Sequence, residues 1–175
     1  MMIEIIPNWH PIFVHFTVGL LFMSVLLFLT TALLQKEPLH RQLVTVAHWN
    51  LWLGAAMTIG TVLAGLYAFD TVDHSRESQH LAMLDHRKWA LITAALFLAL
   101  AAWSLLMTLR GRAVFAGFCH YIFVAFMVIA GLMLAVTGYK GGELVYRHGL
   151  GVLPAPVMEK EHHGHGSHEH GEHHD

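Results

Sequence analysis

The chain alternates between long apolar runs and shorter polar breaks. Four runs are long enough to cross a bilayer, whose hydrocarbon core takes about 20 apolar residues in a helix. They extend from Ile12 to Leu34, from Leu43 to Phe69, from Trp89 to Leu109 and from Ala113 to Gly138. The runs are apolar all round, without the polar face that a surface helix of a soluble protein keeps. Two of the breaks are short: Gln35 to Gln42, with Pro38, and Arg110-Gly111-Arg112. The break from Asp70 to Lys88 is longer and polar, and from Ser75 onward it can extend the third span as helix. Short links make sequence neighbours antiparallel. The pattern therefore predicts an all-α integral membrane protein, an up-down-up-down four-helix bundle over residues 1–153. Small residues four apart, Gly60 with Ala64 and Gly131 with Ala135, are spaced for close helix packing in lipid.

Composition sharpens this picture. The chain is 55% hydrophobic and 13% charged, about half the charged share of a soluble domain. A net charge of −2 leaves no nucleic-acid footprint. Cys119 is the single cysteine, which excludes an intrachain disulfide, a cysteine-based zinc site and covalent haem attachment. Met1 to Asn8 carries Glu4 and no Lys or Arg, so the first run is expected to stay as a span and not to be a cleaved leader. The two short links carry Lys36, Arg41, Arg110 and Arg112 against Glu37, while the other face has Arg76, Arg87, Lys88, Lys140 and Arg147. The denser basic charge of the short links places them in the cytoplasm and both termini outside it.

Histidine is the outlier, with 16 residues. His15, His48 and His120 lie within apolar runs and His86 at the mouth of the third, so each helix has one near its start. Alternating helix direction then gives two pairs, His15 with His86 at one face and His48 with His120 at the other. Buried bilayer histidines usually face the bundle interior or a partner. Two imidazoles on facing helices are what a six-coordinate haem b needs axially, which predicts one or two haems and an electron-transfer role. The same four residues also suit transition-metal binding, a proton relay or plain interhelical hydrogen bonds. His10 and His80 are additional candidates, since His80 lies close enough to His86 in sequence to replace it. Asp70, Asp73, His74, Glu77, His80, Asp85 and His86 could form a metal patch, or a solvated loop with Asp73 or Ser75 as a helix cap.

Residues 154–175 hold His162, His163, His165, His168, His170, His173 and His174 among glycines and acids. Such a tail cannot bury a core and is expected to be disordered. Its imidazoles and carboxylates suit zinc, copper or nickel. A rival function follows: transition-metal homeostasis or delivery, cobalt included, with His10, His15 and the loop receiving what the tail gathers. A third reading is a non-catalytic subunit of a larger membrane complex. No phosphate loop, nucleophile elbow or paired membrane carboxylates are present, so no catalytic activity of its own is expected.

Two segments carry a resemblance. Asn8 to Phe16, N-W-H-P-I-F-V-H-F, with His10, Pro11, His15 and Phe16, resembles the opening His-Pro-x-x-x-His-Phe of the bacterial membrane proteins grouped as domain of unknown function 2231 (DUF2231). Thr17 stands where members of that family often have proline. Gly138 to Val152 is similar to the family's closing stretch, through Gly141, Gly142, Leu144, Val145, Tyr146, His148 and Gly149. The resemblance implies a four-span domain of a bacterial membrane protein, expected in the inner (plasma) membrane; with the orientation drawn from charge, both termini lie in the periplasm if the cell is Gram-negative. By association it also points to redox partner proteins such as iron–sulfur domains; a quinone at a membrane face is a further candidate partner, which the resemblance does not imply. The closing glycines are expected to turn the chain sharply after the fourth span, laying Leu144, Val145 and Tyr146 on the membrane interface and returning His148 toward His10.

Overall fold

The structure, a computed structural model, describes residues 9–35, 38–71, 76–111 and 118–152. Four helices make it up: α1 (His10–Leu33), α2 (His40–Thr71), α3 (Glu77–Leu109) and α4 (Phe118–Tyr146). All four are long and apolar enough to cross a membrane. Among the described residues there is no strand. Pro11 sits in the first turn of α1, where its missing N–H costs nothing and its fixed φ suits the helix. α3 starts well before Trp89, with Oε1 of Gln79 accepting from the Arg76 backbone N–H at 3.4 Å; Asp73 and Ser75 lie outside the described residues. It ends where the sequence places it, at Leu109, and Gly111 follows with φ +63, a left-handed conformation that glycine adopts without strain. α4 is described from Phe118; residues 112–117 lie outside the description.

Each helix packs on its sequence neighbours, and α4 closes on α1, so the four stand in a ring. Neighbours run antiparallel. Along α1 and α2, His10 lies against Gly65 and Leu21 against Gly54. Along α3 and α4, His86 lies against Gly141 and Trp103 against Phe123. The core runs down the axis through Leu21, Phe28, Leu51, Phe97, Phe123 and Met127. Large apolar side chains such as Phe16, Phe22, Leu63 and Leu132 point outward, as a protein solvated by lipid requires.

The two halves of the bundle are equivalent. The register shift that carries His10 onto His86 also carries Thr17 onto Thr93, Met57 onto Met133, Thr61 onto Thr137 and Gly65 onto Gly141. It carries the buried residues of α2 (Ala47, His48, Leu51, Gly54, Ala55 and Thr58) onto Phe123, Val124, Met127, Ala130, Gly131 and Leu134, all buried in α4. It carries the last residue of α1, Leu33, onto the last residue of α3, Leu109. The bundle is thus two like hairpins, α1–α2 and α3–α4, about an approximate two-fold axis along its length.

Candidate functional site

At the end of the bundle where α1 and α3 begin, the equivalence becomes chemical. Nδ1 of His10 donates to the Thr61 carbonyl at 3.0 Å. A carbonyl only accepts, so the proton is on Nδ1 and the neutral ring keeps its lone pair on Nε2. The His86 ring lies against the equivalent carbonyl, that of Thr137, but short of a well-formed hydrogen bond, since its buried Nδ1 has no partner. Glycines make both approaches possible. A Cβ on Gly65 would stand 2.9 Å from Cε1 of His10, and one on Gly141 would stand 3.2 Å from Cε1 of His86. Both rings present the same edge, Cε1 nearest, then Nδ1, then Nε2.

Hydroxyl ladders behind the rings repeat as well. Thr61 donates to the Met57 carbonyl at 3.0 Å, so its hydroxyl accepts from Thr17 at 2.7 Å. Thr137 donates to the Met133 carbonyl at 2.9 Å and accepts from Thr93 at 2.9 Å. Each hairpin thereby ties its two helices together one to two turns below its histidine.

Between the hairpins lies a cavity of about 560 Å³, lined by all four helices. Its walls are mostly apolar, with Val14, Leu21, Leu66, Met83, Phe97 and Leu134 among them. His10, His15 and His86 line it, as do Thr61, Thr137 and Arg87. His10 and His86 are within electrostatic reach of each other across it. His15 is exposed on α1, and its Nδ1 donates to the Pro11 carbonyl at 2.5 Å. Asp85, next to His86 in the chain, pairs with Lys140, and the Arg87 guanidinium lies 5.0 Å over the Phe69 ring.

The closing segment departs from its expected shape. α4 does not turn at Gly141 and Gly142 but continues to Tyr146. Gly141 serves the approach of His86, while the reversal comes later, at Gly149 and Gly151, with φ of +64 and +74. The Leu150 N–H reaches back to the Leu144 carbonyl at 3.0 Å, and Leu150 is buried against the cavity. Nε2 of Gln79 donates to the His148 carbonyl at 2.9 Å, tying the segment to α3. His80, beside Phe69, and His148 are not cavity-lining residues.

The other end differs. His48 and His120 are both buried there, His120 with 1% of its surface exposed. The His48 ring is packed at 5.4 Å from Phe28 and 5.3 Å from Trp52, and Phe28 and Trp103 close on Phe123. His120 is within electrostatic reach of His40. The register shift carries His48 onto Val124 and Val44 onto His120, so these histidines are not equivalent. His74 and the tail residues His162, His163, His165, His168, His170, His173 and His174 lie outside the described residues. Among the described residues no three of His, Cys, Asp or Glu come together as a metal-ion site.

The sequence offers His10 only as an additional candidate and Gly141 only as a turn residue, and it gives no role to Gly65, Thr61 or Thr137. The signal that finds them is the constant shift relating His10, Thr17, Thr61 and Gly65 to their counterparts. Comparison with curated proteins and with solved structures gives no match. The profile of the family described as "Predicted membrane protein (DUF2231)" matches residues 7–154. That match takes in all four helices, the cavity and the closing segment, and the chain belongs to the DUF2231 family of membrane proteins.

Proposed function

We propose that this membrane protein holds one b-type haem, without covalent attachment, in the cavity between its two hairpins, and that its role is electron transfer. The observation that carries this reading is the pair of equivalent histidines, His10 and His86, facing one apolar cavity from opposite sides of the axis. The cavity, about 560 Å³, falls in the range of roughly 300–1,000 Å³ that suits an organic cofactor. Two imidazole nitrogens from different helices suit a macrocycle that supplies its other donors itself. A bare ion would need more protein ligands than the described residues bring together. Arg87 supplies a cation at the cavity wall for an acidic side group. His10 and His86 would hold the group, and a haem held by two histidines would supply one-electron exchange.

The partner class is a redox protein or a quinone, and the setting is a bacterial inner membrane with the His10 end outside the cytoplasm. The test is an absorption spectrum of detergent-purified protein from haem-supplied cells, oxidised and then dithionite-reduced. Sharp low-spin bands are expected, lost in His10→Ala and in His86→Ala. His15→Ala is expected to keep them; loss there instead would make His15 the ligand that α1 contributes. A featureless spectrum from the unaltered protein would remove the haem reading.

A further inference from the structure

Gly65 and Gly141 each stand four residues after a threonine, Thr61 and Thr137, on the helix facing a histidine. In a helix the carbonyl of residue i already accepts from the N–H of residue i+4. A second donor reaches that carbonyl only from the side, past the side chain of residue i+4. At both positions that side chain is a single hydrogen, and the histidine ring crowds the place of a side chain: a Cβ would stand 2.9 Å from Cε1 of His10 at Gly65 and 3.2 Å from Cε1 of His86 at Gly141. Gly138 and Gly142, on the same helix as Gly141, have nothing within 4 Å of a built Cβ. Gly54 and Gly131 are approached as closely, but by Leu21 and Val25; among these glycines a histidine ring is the close neighbour at Gly65 and Gly141.

We infer that Gly65 and Gly141 are positioning residues. Each opens the threonine carbonyl one turn before it to the Nδ1–H of a histidine, and so fixes that ring's tautomer and aim. The inference deepens the haem reading and rests on it for the identity of the ligand, though not for the hydrogen bonds. His10 already makes its bond to Thr61. His86, with Nδ1 buried and unpartnered beside Thr137, completes the equivalent bond when its ring turns to engage a ligand. An Nδ1–H donated to a carbonyl makes the opposite nitrogen a better electron donor, which lowers the potential of a bound iron.

The experiment uses full-length protein with 15N-labelled histidine in detergent, without haem and then with it. Without haem, the His10 resonances, assigned through His10→Gln, are expected to be those of an Nδ1-protonated ring. Gly65→Ala should shift them and leave His86 alone, Gly141→Ala should shift those of His86 and leave His10 alone, and Gly142→Ala should move neither. The added methyl meets the far end of a mobile side chain, so the ring moves and the fold is kept, as size exclusion will report. Gly141→Ala is the milder variant should Gly65→Ala fail to fold. With haem, both substitutions should raise the midpoint potential. Unchanged histidine resonances in both variants, or an equal change in Gly142→Ala, would overturn the positioning role. Absence of haem from the unaltered protein would sink the haem reading alone, because the haem-free resonances report on the glycines by themselves.

Discussion

At Gly131 the packing leaves no room for a side chain: a Cβ there would stand 3.0 Å from Cγ1 and 3.3 Å from Cγ2 of Val25 on α1. Valine is stiff about χ1 and cannot swing aside cheaply. Gly131→Ala is therefore expected to lower stability by about 1–3 kcal/mol, the usual cost of overpacking. Gly19→Ala, which points into open space, should cost nothing. Unfolding titrations in mixed micelles will compare the two, and equal midpoints would mean that α1 and α4 do not approach so closely. The spacing of small residues singles out Gly60, Ala64, Gly131 and Ala135. Of these Gly131 meets Val25 closely, Gly60 makes an ordinary contact with Phe13 at 3.4 Å, and Ala135 faces outward. Gly54, whose Cβ would fall 2.6 Å from Leu21, escapes that rule. A spacing pattern shows where helices can approach, while the neighbour that arrives is set by the fold.

The helices themselves are largely legible, because bilayer thickness imposes a length that composition reveals. Helix beyond the apolar runs is legible in part: the polar break from Ser75 onward reads as an extension of the third span, and α3 does begin at Glu77. The first turns of α3, with Glu77, Gln79, His80 and Asp85, are too polar to read as a span, yet they hold the closing segment through Gln79 and His148. The end of α4 reads as a turn from its glycines, because sequence alone does not say that a ring from α3 fills the space beside Gly141. Between paired helices, the Thr17–Thr61 and Thr93–Thr137 bonds are equivalent polar ties. Interhelical bonds of this kind contribute on average about 0.6 kcal/mol and at most about 1.7 kcal/mol. Thr17→Val and Thr93→Val, close in shape, are expected to cost similar amounts in that range. Thr17→Val combined with Thr61→Val should cost little more than either alone, since both remove the same tie. A cost confined to one hairpin would show that the two ties are not energetically equivalent.

Across the whole molecule, the two-fold relation is carried by few identical residues; His10, Thr17, Thr61 and Gly65 with their counterparts sit toward the axis end where α1 and α3 begin, and the rest are plain apolar pairs such as Leu29 with Leu105 and Leu33 with Leu109. Most other positions pair unlike residues, Phe28 with Ser104 and His48 with Val124, which is why an internal repeat is hard to see in the chain. Under the proposed haem reading, the relation favours one end over the other, which histidine counting does not. One end offers equivalent rings at a cavity; the other packs its histidines among Phe28, Trp52 and Phe123. One haem per chain is therefore expected by pigment extraction, with His48→Ala keeping the band and losing stability, whereas two haems per chain would require the far end to open. The proposed side of the membrane for the cavity rests on charge. The links beyond α1 and α3 carry Arg41 and Arg110 together with Lys36 and Arg112, and basic short links stay in the cytoplasm. With Cys119, the only native thiol, changed to serine, a cysteine at the exposed Ser78 position should react with a membrane-impermeant maleimide in intact cells. One at the exposed Arg110 position should react only after the membrane is opened. The reverse result would put the cavity on the cytoplasmic side and its electron partner there too, because both helix starts that hold His10 and His86 turn over together.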